Sequence, residues 1–261
     1  MSEIQEAVSV ITVPAFSDNY FWLIVRGGRA LVVDPGDAAP VEQALRAHRL
    51  QLDAILVTHH HEDHIGGVET LARAHRVPVH GPAGEDIEEI TVRHRGGDQV
   101  ELLGFSFSVF DVPGHTRGHI AYHEGRQQWL FCGDTLFAGG CGRLFEGTPP
   151  QMAASLAKLA ALPSATRVYC AHEYTLANLR FARAVEPGNE ALAAREQRCA
   201  AQRARGEPTV PSTIGEELAT NPFLRCHVPA VQAAAESHER GSGASPVATF
   251  AAIRAWKNGF R

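Results

Sequence analysis

Four short strand-like runs in this chain each end in a small residue or a turn, followed closely by histidine or aspartate. That repetition limits the folds open to the chain. The run at 54–57 leads into Thr58-His59-His60-His61-Glu62-Asp63-His64, and the run at 105–112 into Pro113-Gly114-His115-Thr116. Residues 128–132 lead into Gly133-Asp134-Thr135, and residues 168–170 into Ala171-His172-Glu173. The fully apolar run at 54–57 is what a strand buried on both faces requires. Polar side chains at the ends of such strands are where α/β proteins build their sites.

The rest of the chain fits that frame. Residues 8–13, 20–25 and 30–34 are β-rich, Gly27-Gly28 is a hairpin signal, and Asp34-Pro35-Gly36 is a turn. Helical patterns run from Pro40 to about 48 and over 65–76, with strands at 77–80 and 120–123. Thr148-Pro149-Pro150-Gln151 and Thr213-Ile214-Gly215-Glu216 are capping boxes. After residue 173 the texture becomes helical. Patterns over 175–184 and 190–205 are separated by Pro187-Gly188, with Asn189 as an N-cap, and a last helix from Ser245 carries Phe250, Ile253 and Trp256. The chain is thus expected to hold an α/β domain at 1–173 and an α-helical domain at 174–261.

Composition removes several function classes. A net charge of −5 argues against nucleic-acid or membrane-surface partners, which ask for a basic footprint. Hydrophobic residues at 44% and charged residues at 20% are globular values, so wholesale disorder is excluded. No apolar run approaches the ~20 residues of a membrane span. Met1-Ser2-Glu3-Ile4-Gln5-Glu6 has acids where a secretory leader needs bases. The five cysteines are widely spaced with no CxxC, the pattern of a reducing compartment, so a cytoplasmic location is expected. A monomer is the default expectation.

Histidine, at 14 residues, is the outlier. Imidazole and carboxylate are donors for borderline and hard divalent metals. His59 and His61 are two apart and project to the same side of an extended backbone, whereas the adjacent Asp63 and His64 diverge. One short loop can therefore feed two metal ions. A solvated polar loop is the competing reading, and the donors at three further strand ends weigh against it. Taken singly, each of those donors reads as a turn or cap residue. Taken together they complete two coordination shells.

The pattern HxHxDH with Pro113-Gly114-His115-Thr116-Arg117-Gly118-His119, Gly133-Asp134-Thr135 and a later histidine resembles the metallo-β-lactamase fold superfamily. The segments 140–148 (GCGRLFEGT), 171–175 (AHEYT), 221–225 (NPFLR) and 254–257 (RAWK) narrow the resemblance to the glyoxalase II, or hydroxyacylglutathione hydrolase, family, over essentially the whole chain. The resemblance implies a four-layer αββα sandwich with a C-terminal helical domain. It implies two divalent ions, zinc first and iron or manganese as alternatives. His59, His61 and His115 would hold the first ion; Asp63, His64 and His172 the second; Asp134 would bridge them. His60 and His119 are expected to make structural hydrogen bonds instead.

Two close divalent ions lower the pKa of a shared water from about 15.7 toward ~7 and yield a bridging hydroxide nucleophile. Asp63 and Asp134 are then the catalytic carboxylates. Asp63 orients the hydroxide, and the first metal accepts the developing oxyanion. A thioester suits such a site, because a thiol of pKa ~8.5 departs without a strong acid. The implied reaction converts S-(2-hydroxyacyl)glutathione, typically S-D-lactoylglutathione, to glutathione and D-lactate in methylglyoxal breakdown. By the same resemblance Arg143, Tyr174, Arg254 and Lys257 bind the anionic glutathione end. Without the resemblance, Arg254 and Lys257 would read as the solvated face of a terminal helix.

Phe145 stands where some relatives carry Tyr, and Ala171 where Gly is more usual. Cys141 is not read as a nucleophile, since no base is evident beside it; the glycines flanking it are expected to let backbone approach the substrate. The competing functions are a one-iron persulfide dioxygenase, a nuclease of the same superfamily, and a metal-binding protein with an inactive site.

Overall fold

The computed structural model describes residues 8–260. The reading of Met1–Glu6 as unlike a secretory leader therefore lies outside the described residues. The chain divides into two compact units, one made of residues up to 111 with 118–126, the other of 112–117 with everything from 127 onward.

The first unit begins with a meander of β1 (Val8–Ala15), β2 (Asn19–Arg26) and β3 (Arg29–Val33), in which β2 is almost wholly buried. Helix α1 (Ala38–His48) then returns the chain to β4 (Gln51–Leu56). Asp37 caps α1 by accepting from Ala39 N at 2.9 Å, and Val41 and Leu45, one turn apart, turn its apolar stripe inward. Two further helices, α2 (Glu62–Ile65) and α3 (Val68–His75), precede β5 (Val79–Pro82) and β6 (Val92–His94). The strand order is β1-β2-β3-β4-β5-β6, with β3 to β6 parallel. Phe21, Leu23, Val32, Ile55 and Val79 of the sheet pack with Val41, Leu45 and Leu71 of the helices. The strands β7 (Gln99–Leu102), β8 (Phe105–Asp111) and β9 (Ile120–Glu124) form an antiparallel set.

In the second unit, β10 (Trp129–Gly133) pairs in parallel with β13 (Arg167–Cys170), which pairs with the short β14 (Ser212–Thr213). A small hairpin, β11 (Leu136–Phe137) and β12 (Gly140–Cys141), leaves the end of β10. The helices are α4 (Pro149–Ala160), α5 (Thr175–Val185), α6 (Glu190–Ala204), α7 (Ile214–Thr220), α8 (Pro229–His238) and α9 (Pro246–Gly259). The expected caps are in place: Gln151 accepts from Thr148 N at 2.9 Å, Asn189 from Leu192 N at 3.0 Å, and Thr213 from Glu216 N at 3.2 Å.

The structure departs from the sequence reading in specific places. The helix expected over 65–76 starts only at Val68, after the separate and unexpected α2 has ended at Ile65; Gly66-Gly67 divides the two, and Gly67 N donates to Pro35 O at 2.9 Å instead of continuing a ladder. Strands β6, β7, β11, β12 and β14 were not expected. Each is at most four residues long, too short to establish a period of two. Helix α8 was also missed, since it buries only Val231 and Ala235. Among the described residues no helix is long and apolar enough to cross a membrane. All five cysteines are buried thiols.

Candidate metal centre

The first unit carries one cluster of donors, built where β3 and β4 end. Asp34 follows β3 with φ 51 and is buried. Its carboxylate accepts from Thr58 N and from Thr58 Oγ1, both at 2.7 Å, and lies 3.1 Å from His64 Nδ1. Thr58 Oγ1, having donated to Asp34, is left to accept from His59 Nδ1 at 3.1 Å. One carboxylate thus fixes the Nδ1 side of both His59 and His64 and turns Nε2 of each to the other side, the arrangement by which metal-binding imidazoles are oriented. His59 Nε2 then lies 3.1 Å from His61 Nδ1, and His64 Nε2 lies 3.6 Å from Asp63 Oδ2. Asn19 holds that same Asp63 oxygen at 3.0 Å.

His60 and His119 point elsewhere, as expected. His60 N and Nδ1 both reach Glu85 Oε2, at 2.7 and 2.5 Å. His119 Nδ1 is 3.0 Å from Ile120 O, and its ring stacks on His59 with centroids 4.5 Å apart. Asp34, Thr58, Asn19 and Glu85 were not foreseen as parts of the site. The signal for Asp34 was present: it too is a single acid directly after an apolar strand. Its triplet with His59 and His64 is compact, with one donor atom from each lying within 4.8 Å of the others. Both its oxygens already serve Thr58 and His64, so it holds the candidate ligands in place.

The second unit carries the other cluster. His115 Nδ1 donates to Arg143 O at 2.8 Å, which leaves Nε2 facing Asp134 Oδ2 at 3.3 Å. His172 Nε2 faces the other oxygen, Oδ1, also at 3.3 Å. A buried aspartate with one imidazole nitrogen against each oxygen has the form of a bridging ligand. The distances fit a metal. Two nitrogen or oxygen donors at ~2.0–2.1 Å from a tetrahedral ion are separated by roughly 3.3 Å. The His59–His61, His115–Asp134 and His172–Asp134 spacings all lie close to that value. His172 is seated by Tyr174, whose ring stacks on it with centroids 4.7 Å apart and planes 2° from parallel.

His115 and Asp134 also line a cavity of about 470 Å³, together with the four residues expected to bind substrate, Arg143, Tyr174, Arg254 and Lys257. Helix α9 does not present Arg254 and Lys257 as a solvated face. Arg254 is 6% exposed and donates to Cys141 O at 2.9 Å and to Asn258 Oδ1 at 3.2 Å. Lys257 donates to Ala177 O at 3.2 Å and lies over the Phe181 ring. Burial, and then the charges of Arg254, Arg180 and Arg143, bring the Lys257 ammonium down from 10.5 to about 8. Phe145 lines the same cavity, 62% exposed and edge-on to His115.

Cys141 is buried at the cavity wall, and burial pushes its thiol up even with the Arg254 guanidinium nearby. The adjacent Gly142 lies hard against the protein's own backbone, a packing reason for glycine that the sequence did not show. A Cβ there would stand 1.9 Å from Asp134 O. Gly36 plays the same part in the first unit, where a Cβ would stand 2.0 Å from Asp63 O.

An α/β fold with imidazole–carboxylate clusters at its strand ends defines a metal-dependent hydrolase of the metallo-β-lactamase fold, and the model of the metallo-beta-lactamase superfamily matches residues 16–172. The model described as hydroxyacylglutathione hydrolase C-terminus matches residues 173–260. The chain belongs to the hydroxyacylglutathione hydrolase family. A curated hydroxyacylglutathione hydrolase of Alkalilimnicola ehrlichii is 60% identical, over 95% of this chain and 98% of its own. Among solved structures, ETHE1 from Myxococcus xanthus superposes with a TM-score of 0.69 at 24% identity, over 98% of this chain and 92% of that one, a likeness of fold. TTHA1623, solved in a di-iron-bound form, is 30% identical, with a TM-score of 0.52 over 63% of this chain and 91% of that one.

Proposed function

We propose that this chain hydrolyses S-(2-hydroxyacyl)glutathione thioesters, typically S-D-lactoylglutathione, to glutathione and a 2-hydroxy acid such as D-lactate. The observation that carries the reading is the cavity of about 470 Å³. Metal-donor side chains His115 and Asp134 share its lining with the cations Arg143, Arg254 and Lys257 and the phenol of Tyr174. A thioester of glutathione needs both: activation at the carbonyl, and positive charge for its carboxylates.

In this reading His59, His61 and His115 hold one divalent ion, and Asp63, His64 and His172 a second, with Asp134 between them. The all-nitrogen-and-oxygen donor set suits zinc and also accepts iron or manganese. Bound there, the ions supply Lewis acidity and lower the pKa of a water toward ~7. Asp63, held at Oδ2 by Asn19, orients the attacking water and holds its proton. Asp34 keeps His64 in one tautomer by direct contact and His59 through Thr58. Lys257 and Arg143 bind the glutathione carboxylate, Tyr174 donates a hydrogen bond, and Arg254 lends its charge while bound to Cys141 O. The thiolate leaves unassisted, since its thiol has a pKa of only ~8.5.

The same reading divides the work at residue 173, with catalysis in 1–173 and substrate binding in 174–261. It makes the protein a cytoplasmic monomer with a small-molecule substrate and neither nucleic-acid nor membrane partners. The supports are the net charge of −5 and five buried thiols. The test follows the loss of thioester absorbance of S-D-lactoylglutathione with native, chelator-treated and Asp134→Ala protein, with elemental analysis of each. Turnover is expected only in the native protein. Turnover that survives both chelation and Asp134→Ala refutes the mechanism.

A further inference from the structure

Asn221-Pro222-Phe223-Leu224-Arg225 carried part of the family resemblance, yet nothing in the proposed reaction uses it. Asn221 is fully buried. Its Oδ1 caps the 3-10 turn Pro222–Leu224 by accepting from Phe223 N at 3.1 Å. Its Nδ2 reaches Gly140 O at 2.9 Å, Glu217 Oε2 at 3.0 Å and Phe137 O at 3.3 Å. Glu217, also fully buried, accepts from Gly139 N at 2.8 Å. Asn178 donates to Ala138 O at 3.1 Å, and a Cβ on Gly140 would fall 2.5 Å from its amide nitrogen. Three side chains from the helical region therefore grip four successive backbone positions, 137 to 140, all in the β11–β12 hairpin.

Glu217 is itself held. Arg195, 1% exposed, donates to Glu217 Oε1 at 2.6 Å and to Thr220 Oγ1 at 2.7 Å. A buried ion pair adds little net stability over an apolar pair of the same size, because desolvation offsets the attraction. What it does supply is a carboxylate in one fixed place. The two ends of the hairpin show what that placement serves. One end leads out of Asp134. The other leads through Gly142, whose N–H donates to Thr135 O at 3.1 Å, to Arg143, whose carbonyl receives the His115 Nδ1 proton at 2.8 Å. Moving the hairpin moves Asp134 and the acceptor of His115 together.

We propose that Asn221, Glu217 and Asn178 are positioning residues that clamp the β11–β12 hairpin and through it hold Asp134 and His115 in metal-binding geometry. The helical region then sets the metal centre as well as lining the substrate cavity. This rests on the reading of His115, Asp134 and His172 as metal ligands. Groups that orient metal ligands from behind alter metal affinity by about 10–100-fold when removed, and that is the size of effect expected here.

The test strips the full-length protein with chelator and titrates it with Co²⁺ against a competing chelator, reading the visible absorption of the bound ion. Glu217→Ala is expected to weaken Co²⁺ binding about 10–100-fold, and Glu217→Gln to fall between it and the wild type, because its single amide oxygen can accept from Gly139 N or from Arg195 but not from both. Should Glu217→Ala fail to fold, Asn221→Ser serves. Its hydroxyl retains an acceptor for Phe223 N but is too short to reach Phe137 O and Gly140 O. Folded variants that bind Co²⁺ like the wild type, with only a lowered melting temperature, overturn the clamp. Wild-type affinity in Asp134→Ala overturns the metal-centre reading and the clamp with it.

Discussion

Replacing Lys257 by Met tests the substrate end of the cavity without touching a metal donor. Lys257 sits half-buried among cations, and its ammonium is held down to about 8 by burial and by Arg254, Arg180 and Arg143. A carboxylate docking there gains a hydrogen bond to a charged donor, worth about 1.5–3 kcal/mol, or roughly 10–150-fold in affinity. Methionine keeps the length and the contact with Phe181 but removes the charge. The contact is made equally in ground and transition state, so KM should rise by about that factor while kcat stays near the wild-type value. The pH profile supplies a second signature. In the free wild-type enzyme kcat/KM should fall as pH rises through about 8, where Lys257 loses its proton, and Lys257→Met should lack that limb. Stability gives the opposite slope. An unfolded lysine keeps its proton to higher pH than the folded one, so this residue's contribution to stability should improve between pH 8 and its unfolded value. Denaturant titrations of wild type and variant across that range should converge as pH rises. An unchanged KM with a depressed kcat, or an alkaline limb that persists in the variant, would refute the placement of Lys257 against the substrate.

Other outcomes follow from the same geometry. Asp34→Ala removes the acceptor behind Thr58, His59 and His64, so competition titration should show metal affinity about 10–100-fold weaker. Phe145→Tyr adds a hydroxyl at an exposed position on the cavity wall; one net hydrogen bond of about 0.5–1.5 kcal/mol should lower KM by roughly 2–12-fold, measured by initial rates on S-D-lactoylglutathione. Leu45→Ala, in the core between α1 and the sheet, should cost about 2–5 kcal/mol in urea unfolding and leave KM unchanged.

What the sequence disclosed was set by how local each signal is. His59, His61, Asp63 and His64 lie in one seven-residue segment, and the four strand-end clusters share a form that can be recognised without knowing the fold. The caps at Thr148, Asn189 and Thr213 are equally local and are all present. Asp34 escaped because Asp-Pro-Gly is also an ordinary turn, and only the return of β4 beside β3 brings Thr58 against it. Asn19 and Glu85 escaped for the same reason: their partners lie 44 and 25 residues away. Asn221 was noticed as part of a motif but had no readable role, since its partners are backbone atoms 81 and 84 residues distant. The placement of Lys257 depended on resemblance. A cation three residues from another on a terminal helix reads as solvated until the helix is seen to pack its end against Ala177 and Phe181.

Gly36 and Gly142 have a practical consequence for anyone wishing to redesign this enzyme. Each lies against a main-chain carbonyl, of Asp63 and of Asp134 respectively, at a separation where even a methyl group collides. Combinatorial libraries aimed at new acyl groups should therefore freeze these two glycines, although neither touches a ligand atom. Diversity is better spent at Phe145, which borders the same chamber yet leans mostly into solvent.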